Sequence, residues 1–537
     1  MADRDRAFLG HPLGLATLFF TEMWERFSYY GMRAFLIFYL GAPVERGGLG
    51  MFDRITGDPS PGAGAIVGMF GASVYLLGLP GGWIADRFLG QRTAVLVGGA
   101  GIALGNGLLA IPGIGDAFYI GLVLIAIGTG FLKPNISSLV GQLYKPGDPR
   151  RDGGYTIYYM GINIGAFFAP LACGYLAQDP DFRLFLASKG MDPNLCWNFA
   201  FGLAALGMVG GLIQYVLGGR WLGEAGKHPT IPTERAVAAR DRTILKVIGL
   251  VCVAIGAVVV FAKPSQQMIT ETMGIGLVIG SVALFWGLYH AGRDAGEKRR
   301  ILAMIPLYIG AIGFFAIFEQ APTTLNIFAG FVHKEVLGLE VPPSWYQSVN
   351  AVFIVMLAAP FAWLWVALAR RGKEPSSVNK FAIGMVLLAL AFVVMIPASE
   401  ASKESPVSGG YLIGLYFFYT LAELCISPVG LSSMSKLAPA RLGGMVMGIW
   451  FLGTAIGIYL AGRATSISSG QGFGFLFTFL FISSLVMAAA LFAVAPKIRR
   501  MMGRDAHASG PADKSAKAEP EPLPTARVVK DDQSERD

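Results

Sequence analysis

The sequence predicts an all-α integral membrane protein with about fourteen spanning helices. Three observations predict it. The chain is 54% hydrophobic and 15% charged over 537 residues, whereas a soluble domain carries roughly 25% charged residues. Its mean hydropathy is +0.55. Apolar stretches of the roughly 20 residues that cross a bilayer recur along almost its whole length.

In chain order the spans fall at 13–40, 63–85, 93–112, 115–140, 154–176 and 197–217, then 243–262 and 274–290. A last set follows at 302–330, 345–369, 378–397, 409–435, 442–467 and 472–495. The connecting segments set the orientation. Arg4, Arg6, Arg87, Arg92, Lys145, Arg150, Arg151, the cluster from Arg220 to Lys246, Arg293, Lys298–Arg300, Arg370, Arg371, Lys373, Lys380, Lys436 and Arg441 fall on one side. Only Arg46, Arg54, Arg183, Lys189, Lys263, Lys334, Lys403 and Arg463 fall on the other. Basic residues mark the cytoplasmic side of short loops, so both termini are expected inside. The net charge of +8 therefore reads as topology and not as a nucleic-acid surface.

Organisation follows from the same walk. Residues 1–217 and 301–495 each read as a six-helix bundle, and 218–300 as a basic linker with an extra helix pair that holds no internal charge. Residues 496–537 read as a disordered cytoplasmic tail, rich in Pro, Ala, Lys and Glu. Cys173, Cys196, Cys252 and Cys425 show neither metal nor disulfide spacing and read as small buried hydrophobes. No cleavable signal peptide is expected. The five histidines form no metal-spaced pair, and no Ser/His/Asp set shares one depth. No enzyme chemistry, cofactor or metal is expected.

Of the 43 basic residues, only Arg26, Arg33 and Lys133 lie inside spans away from their ends; the acids there are Glu22, Glu25, Glu319 and Glu423. A charge at mid-membrane costs roughly 2.5–3.5 kcal/mol on insertion scales, so each needs a partner or a function. At about 100° per residue, Glu22, Arg26, Tyr29 and Arg33 share one stripe of the first span, with Glu25 and Tyr30 at its edges. Lipid cannot satisfy such a stripe, so it faces protein or water. Glu22 and Arg26, spaced i,i+4, can neutralise each other, which leaves Glu25 as a second carboxylate without an internal cation. One acid of the pair is then expected to exchange a proton near neutral pH; the alternative is a hydrogen-bonded structural group. The cations sit in the first bundle, whereas Glu319 and Glu423 sit in the second. Bridges across the interface would form and break as the bundles rock; fixed structural ion pairs are the alternative. Tyr155, Tyr159 and Asn163 share one helix face, as do Tyr419, Glu423 and Ser427. With Tyr75, Asn350 and Trp450 they would line a central cavity suited to a small polar ligand.

These residues carry a family resemblance. Glu22-Met23-Trp24-Glu25-Arg26-Phe27-Ser28-Tyr29-Tyr30 resembles the ExxERFxYY signature of the proton-dependent oligopeptide transporters, a branch of the major facilitator superfamily. Gly130-Phe131-Leu132-Lys133-Pro134-Asn135, Tyr158-Tyr159-Met160-Gly161-Ile162-Asn163, Phe318-Glu319-Gln320, Ala422-Glu423-Leu424-Cys425-Ile426-Ser427-Pro428-Val429-Gly430 and Gly448-Ile449-Trp450-Phe451-Leu452 resemble its later motifs. Gly82 to Arg92 resembles the superfamily's loop between helices 2 and 3, one residue longer, although positive-inside charge alone accounts for its arginines. The likeness covers residues 12–495.

The resemblance implies a twelve-helix transporter core plus a two-helix insertion, and proton-driven import of di- and tripeptides across a bacterial inner membrane. By the same analogy Glu22, Glu25, Arg26 and Glu319 serve proton coupling. Arg33 and Lys133 meet the peptide carboxylate and Glu423 its amino terminus. Arg33–Glu319 and Lys133–Glu423 form gating bridges. Tyr29, Tyr30, Tyr75, Tyr159, Asn163, Asn350, Ser427 and Trp450 line the cavity. Protons and the lipid bilayer are the other partners, and a monomer is expected to suffice. Phe315 stands where many bacterial members have tryptophan, the second span has no histidine, and the loop at 398–408 is too short for the external domain of animal members. The alternatives are the same scaffold carrying nitrate or a drug-like solute, and a non-transporting sensor, for which no soluble signalling domain is present.

Overall fold

Helices that are apolar on every side must bury themselves in lipid or in one another, and the computed structural model shows both. It describes residues 7–51, 61–113, 115, 117–145, 147–230, 234–336, 339–437 and 440–502. In order these form α1 (Leu13–Gly41), α2 (Pro61–Ile84), α3 (Gln91–Leu109), α4 (Ala117–Gln142), α5 (Arg151–Gln178), the short α6 (Pro180–Ser188) and α7 (Cys196–Gly218). Then come α8 (Arg235–Ala262), α9 (Gln266–Ala291), α10 (Ala295–Phe318), α11 (Thr324–Phe328), α12 (Ser348–Arg370), α13 (Ser377–Ala401), α14 (Gly410–Leu437) and α15 (Gly443–Met502). Among the described residues thirteen helical segments are long and apolar enough to cross a membrane, two of them within α15. The 29-residue α1 stands outside that count because of its charges, not its length.

Helix α1 packs on α5 and α7, α3 on α4 and α7, and α2 on α4. In the second group α15 packs on α10 and α13, and α14 packs on α13 and α12. One large apolar cluster runs through α10–α15 and two more through α1–α7. The groups meet where α2 lies along α15 and α12 along α5. The α2–α15 seam is backbone-tight: a side chain at Gly462 would strike the Gly64 carbonyl and Gly68, the small-residue contact that membrane helices use in place of a hydrophobic drive. The insertion is peripheral. None of the apolar window of α8 is buried, while α9 leans on α15, α10 and α2.

Several elements differ from expectation. The span at 302–330 is two helices, because Pro322 supplies no N–H and disfavours helix at Ala321. After the turn, Thr324 Oγ1 donates to Gln320 Oε1 (2.7 Å) and starts α11. The two spans expected at 442–467 and 472–495 are both present; they abut end to end in α15 and are separated by a kink where Gly472 takes φ +81°, a left-handed conformation open to glycine. Both insertion helices begin eight residues early, at Arg235 and Gln266, because their polar first turns extend beyond the apolar stretch. Segment 496–537 opens as helix to Met502; the remainder of the expected disordered tail lies outside the described residues. A small antiparallel hairpin pairs β1 (Glu335–Val336) with β2 (Leu339–Glu340). Cys173, Cys196 and Cys425 are buried as expected, but Cys252, on the outer face of α8, is exposed.

Candidate functional site

The charged stripe of α1 is buried because α5 comes close enough to cover it. A side chain at Gly165 would strike the Met23 carbonyl, and one at Gly161 would strike Phe19. Under this cover, Glu22, Glu25, Arg26, Arg33 and Glu319 are all at most 8% exposed. Glu25 is not the leftover acid that spacing implied. The Arg26 guanidinium holds both carboxylates: its Nε lies 3.2 Å from Glu22 Oε1 and also donates to Glu25 Oε2. Each acid keeps one oxygen, Glu22 Oε2 and Glu25 Oε1, without a hydrogen-bond partner. The Tyr158 hydroxyl, also buried, faces Glu22. Sequence reasoning had singled out its neighbour Tyr159; the paired tyrosines were a signal, and only the turn of α5 decides which one faces α1.

Arg33 and Glu319 pair across the two helix groups. Around them the groups are latched by hydrogen bonds. Asn326 Nδ2 and Gln347 Nε2 both donate to the Ala34 carbonyl, at 2.7 and 3.2 Å. Trp345 Nε1 donates to Leu171 O (3.0 Å) and Ser348 Oγ to Phe167 O (2.8 Å). All these groups lie toward the C-terminal ends of α1 and α5 and the start of α12, which places the latch at one face of the membrane.

Lys133 and Glu423 do not pair. Lys133 Nζ sits 4.3 Å from the centre of the Tyr75 ring, and Glu423 Oε2 accepts from Asn350 Nδ2 (3.2 Å), which also reaches Thr420 Oγ1 (3.0 Å). In this conformation the α4 and α14 sides stand apart, and each charge is satisfied within its own group. Tyr30 is within electrostatic reach of Arg26, Arg33 and Tyr75 of the first group and of Glu423 of the second. Arg26 also lies over the rings of Tyr29 and Tyr30 (5.2 and 5.7 Å), and Arg33 over Tyr29 (5.7 Å). Tyr159, beside Tyr30 and Glu423, is 47% exposed, so the space between the groups is open there. Asn163 donates to the Tyr159 carbonyl (2.9 Å). Ser427 is half-buried, one turn beyond Glu423.

Two other polar groups read as cavity-facing are elsewhere. Tyr419 is fully buried, stacks on Phe318 and donates to the Ile317 carbonyl (2.9 Å). Tyr155 reaches the Ser137 carbonyl at 3.4 Å. Trp450 is buried and meets Phe315 edge-on, 6.3 Å between ring centres. The departure at Phe315 thus sits against a residue expected to line the cavity.

Apolar helices enclosing an open, charged interior and latched at one end define a membrane transporter. The chain belongs to the POT family, whose model matches residues 92–472. It is 41% identical to an uncharacterized transporter, YclF, of Bacillus subtilis, over 93% of this chain and 96% of that one. It is 38% identical to the peptide transporter YePEPT of Yersinia enterocolitica, with the same coverage of both chains. The dipeptide and tripeptide permease A of Escherichia coli is 33% identical over 94% of this chain and 96% of its own. Among solved structures, a mutant of a peptide transporter POT in complex with alafosfalin superimposes with a TM-score of 0.83 at 39% identity, covering 93% of this chain and 97% of that one. A POT family transporter in complex with 5-aminolevulinic acid gives 0.81 at 32% identity, covering 91% and 98%.

Proposed function

We propose that this protein is a proton-coupled symporter, not an enzyme, that imports di- and tripeptides by alternating access. It sits in a bacterial inner membrane with both termini in the cytoplasm. With that orientation the latch around Ala34 is the external gate, and the conformation described is open or opening to the inside. The observation that carries the reading is the placement of unlike charges around an open interior. Arg33 and Lys133 stand on one helix group and Glu423 on the other, with two carboxylates sharing one guanidinium directly beneath. A short peptide is an ammonium and a carboxylate at a nearly fixed separation, and charge-assisted hydrogen bonds at both ends would orient it whatever its side chains. The relatives support this: YePEPT and permease A bear peptide-transport names, and 5-aminolevulinic acid, bound by a POT family transporter, also carries an amine and a carboxylate.

In this reading Glu22, Glu25 and Arg26 couple protons, together with Glu319. Arg33 and Lys133 take the peptide carboxylate and Glu423 the amino terminus. Arg33–Glu319 is the external bridge, and Lys133–Glu423 closes only in the opposite state. Uptake of labelled dialanine into proteoliposomes under an inside-alkaline pH gradient tests the function directly. Peptides capped at either end should compete poorly. Glu423→Gln should narrow the gap between free and N-acetylated peptide, and Lys133→Ala the gap between free and C-amidated peptide. Doubly capped peptides competing as well as dialanine would sink the assignment of these charges to the ligand.

A further inference from the structure

The insertion is fastened to both helix groups, and its fastenings are unequal. Toward the middle of the membrane α9 belongs to the second group. Ser281 Oγ and the Tyr308 hydroxyl of α10 lie 2.6 Å apart, and Leu277 and Leu288 are buried in the α10–α15 cluster. At its N-terminal end α9 reaches across the seam. Gln266 Nε2 donates to the Gly62 carbonyl at the start of α2 (2.7 Å). One turn later buried Thr270 donates its hydroxyl to the Gln266 carbonyl of its own helix (2.8 Å) and packs that oxygen 3.3 Å from Met69 Sδ of α2, while its carbonyl accepts from the Tyr459 hydroxyl of α15 (3.0 Å). Gly274 completes the contact, since any side chain there would strike the Tyr459 hydroxyl. The same turn of α9 therefore touches α2 and α15 where Gly64 and Gly68 meet Gly462, at the latched end of the molecule.

We propose that the first turns of α9 are a clasp: Gln266 and Thr270 fasten α2 to α15 from outside the seam and bias the protein toward the state closed at that end. This rests on the alternating-access reading, in which the two groups must part there. It gives the insertion a role in setting the conformational equilibrium without contact with peptide or proton.

The test uses paired spin labels at Val44→Cys and Glu404→Cys, on opposite groups at the latched end, in a Cys252→Ala background; the other three cysteines are buried. Losing one hydrogen bond such as the half-buried Gln266–Gly62 bond shifts such an equilibrium by about fivefold. Gln266→Leu with Thr270→Val is therefore expected to move population toward the longer label separation by at least that factor. Gln267→Leu serves as the control, since this exposed neighbour bonds only Glu271 of its own helix (2.7 Å), and it should change nothing. Gln266→Leu alone, which leaves the buried side chains of α9 intact, carries the test if the double variant does not fold. Unchanged separations in the clasp variants, with labels that still respond to dialanine and pH, would overturn the clasp. Labels that never move with peptide, pH or substitution would overturn alternating access along with it.

Discussion

Replacing Glu22 or Glu25 by glutamine is expected to reduce gradient-driven peptide uptake to the level of empty vesicles, while exchange of peptide for peptide continues. Arg26 is the one cation bonded to both acids. With both acids ionised the trio carries a net negative charge in a site from which water is excluded, and uncompensated buried charge costs several kcal/mol. Taking up one proton cancels that charge. Giving it up requires a route to water or a rearranged partner, and this ties proton release to a change of conformation. The free oxygens Glu22 Oε2 and Glu25 Oε1 are the atoms available to receive it. A glutamine is permanently neutral, so the trio no longer cycles, whereas exchange needs no net proton movement. Full concentrative uptake by both single variants would remove α1 from the coupling scheme.

The second large effect is expected at the Arg33–Glu319 bridge. Glu319→Ala leaves Arg33 buried without its partner, and such a loss typically costs about 3–5 kcal/mol. The variant should melt at lower temperature in detergent and should not transport. Arg33→Leu combined with Glu319→Leu removes both charges, so much of the lost stability should return, because a buried pair adds little over well-packed apolar groups. Transport should stay lost. Independent sites add within about 0.5 kcal/mol; a double-mutant cycle on thermal stability that closes to that margin would show the pair to be energetically uncoupled.

Much of this is legible in the sequence alone. Spans follow from length and hydropathy, and the seven intramembrane charges stand out because lipid tolerates none without cause. What pairs with what was legible only in part. Arg33 with Glu319 required the helix groups to be closed at one end, and Lys133 apart from Glu423 required them to be open between; the chain encodes both states and a linear reading cannot choose one. Glu25 was misjudged because helical spacing favours the i,i+4 pair with Arg26, whereas an adjacent side chain can swing round to the same guanidinium. The latch was missed because Asn326 lies in the five-residue α11 and Trp345 and Gln347 in a single 3-10 turn, each just after a proline and too short for any periodicity to point a side chain. Tyr419 shares its helix face with Glu423, yet it turns into the core because Phe318 offers it a stacking partner and Ile317 a carbonyl. The clasp of α9 depends on two polar residues in a polar first turn, a pattern indistinguishable from ordinary solvent-facing helix ends.

The account stands most directly on proton movement that requires peptide. Proteoliposomes holding the purified protein and an internal pH indicator, with no gradient imposed, should acidify inside when dialanine is added outside. The acidification should vanish in Glu22→Gln and in Glu25→Gln, and a protonophore should abolish concentrative uptake. Dialanine accumulating with no change in internal pH, at a rate indifferent to the protonophore, would contradict proton-coupled symport by this chain.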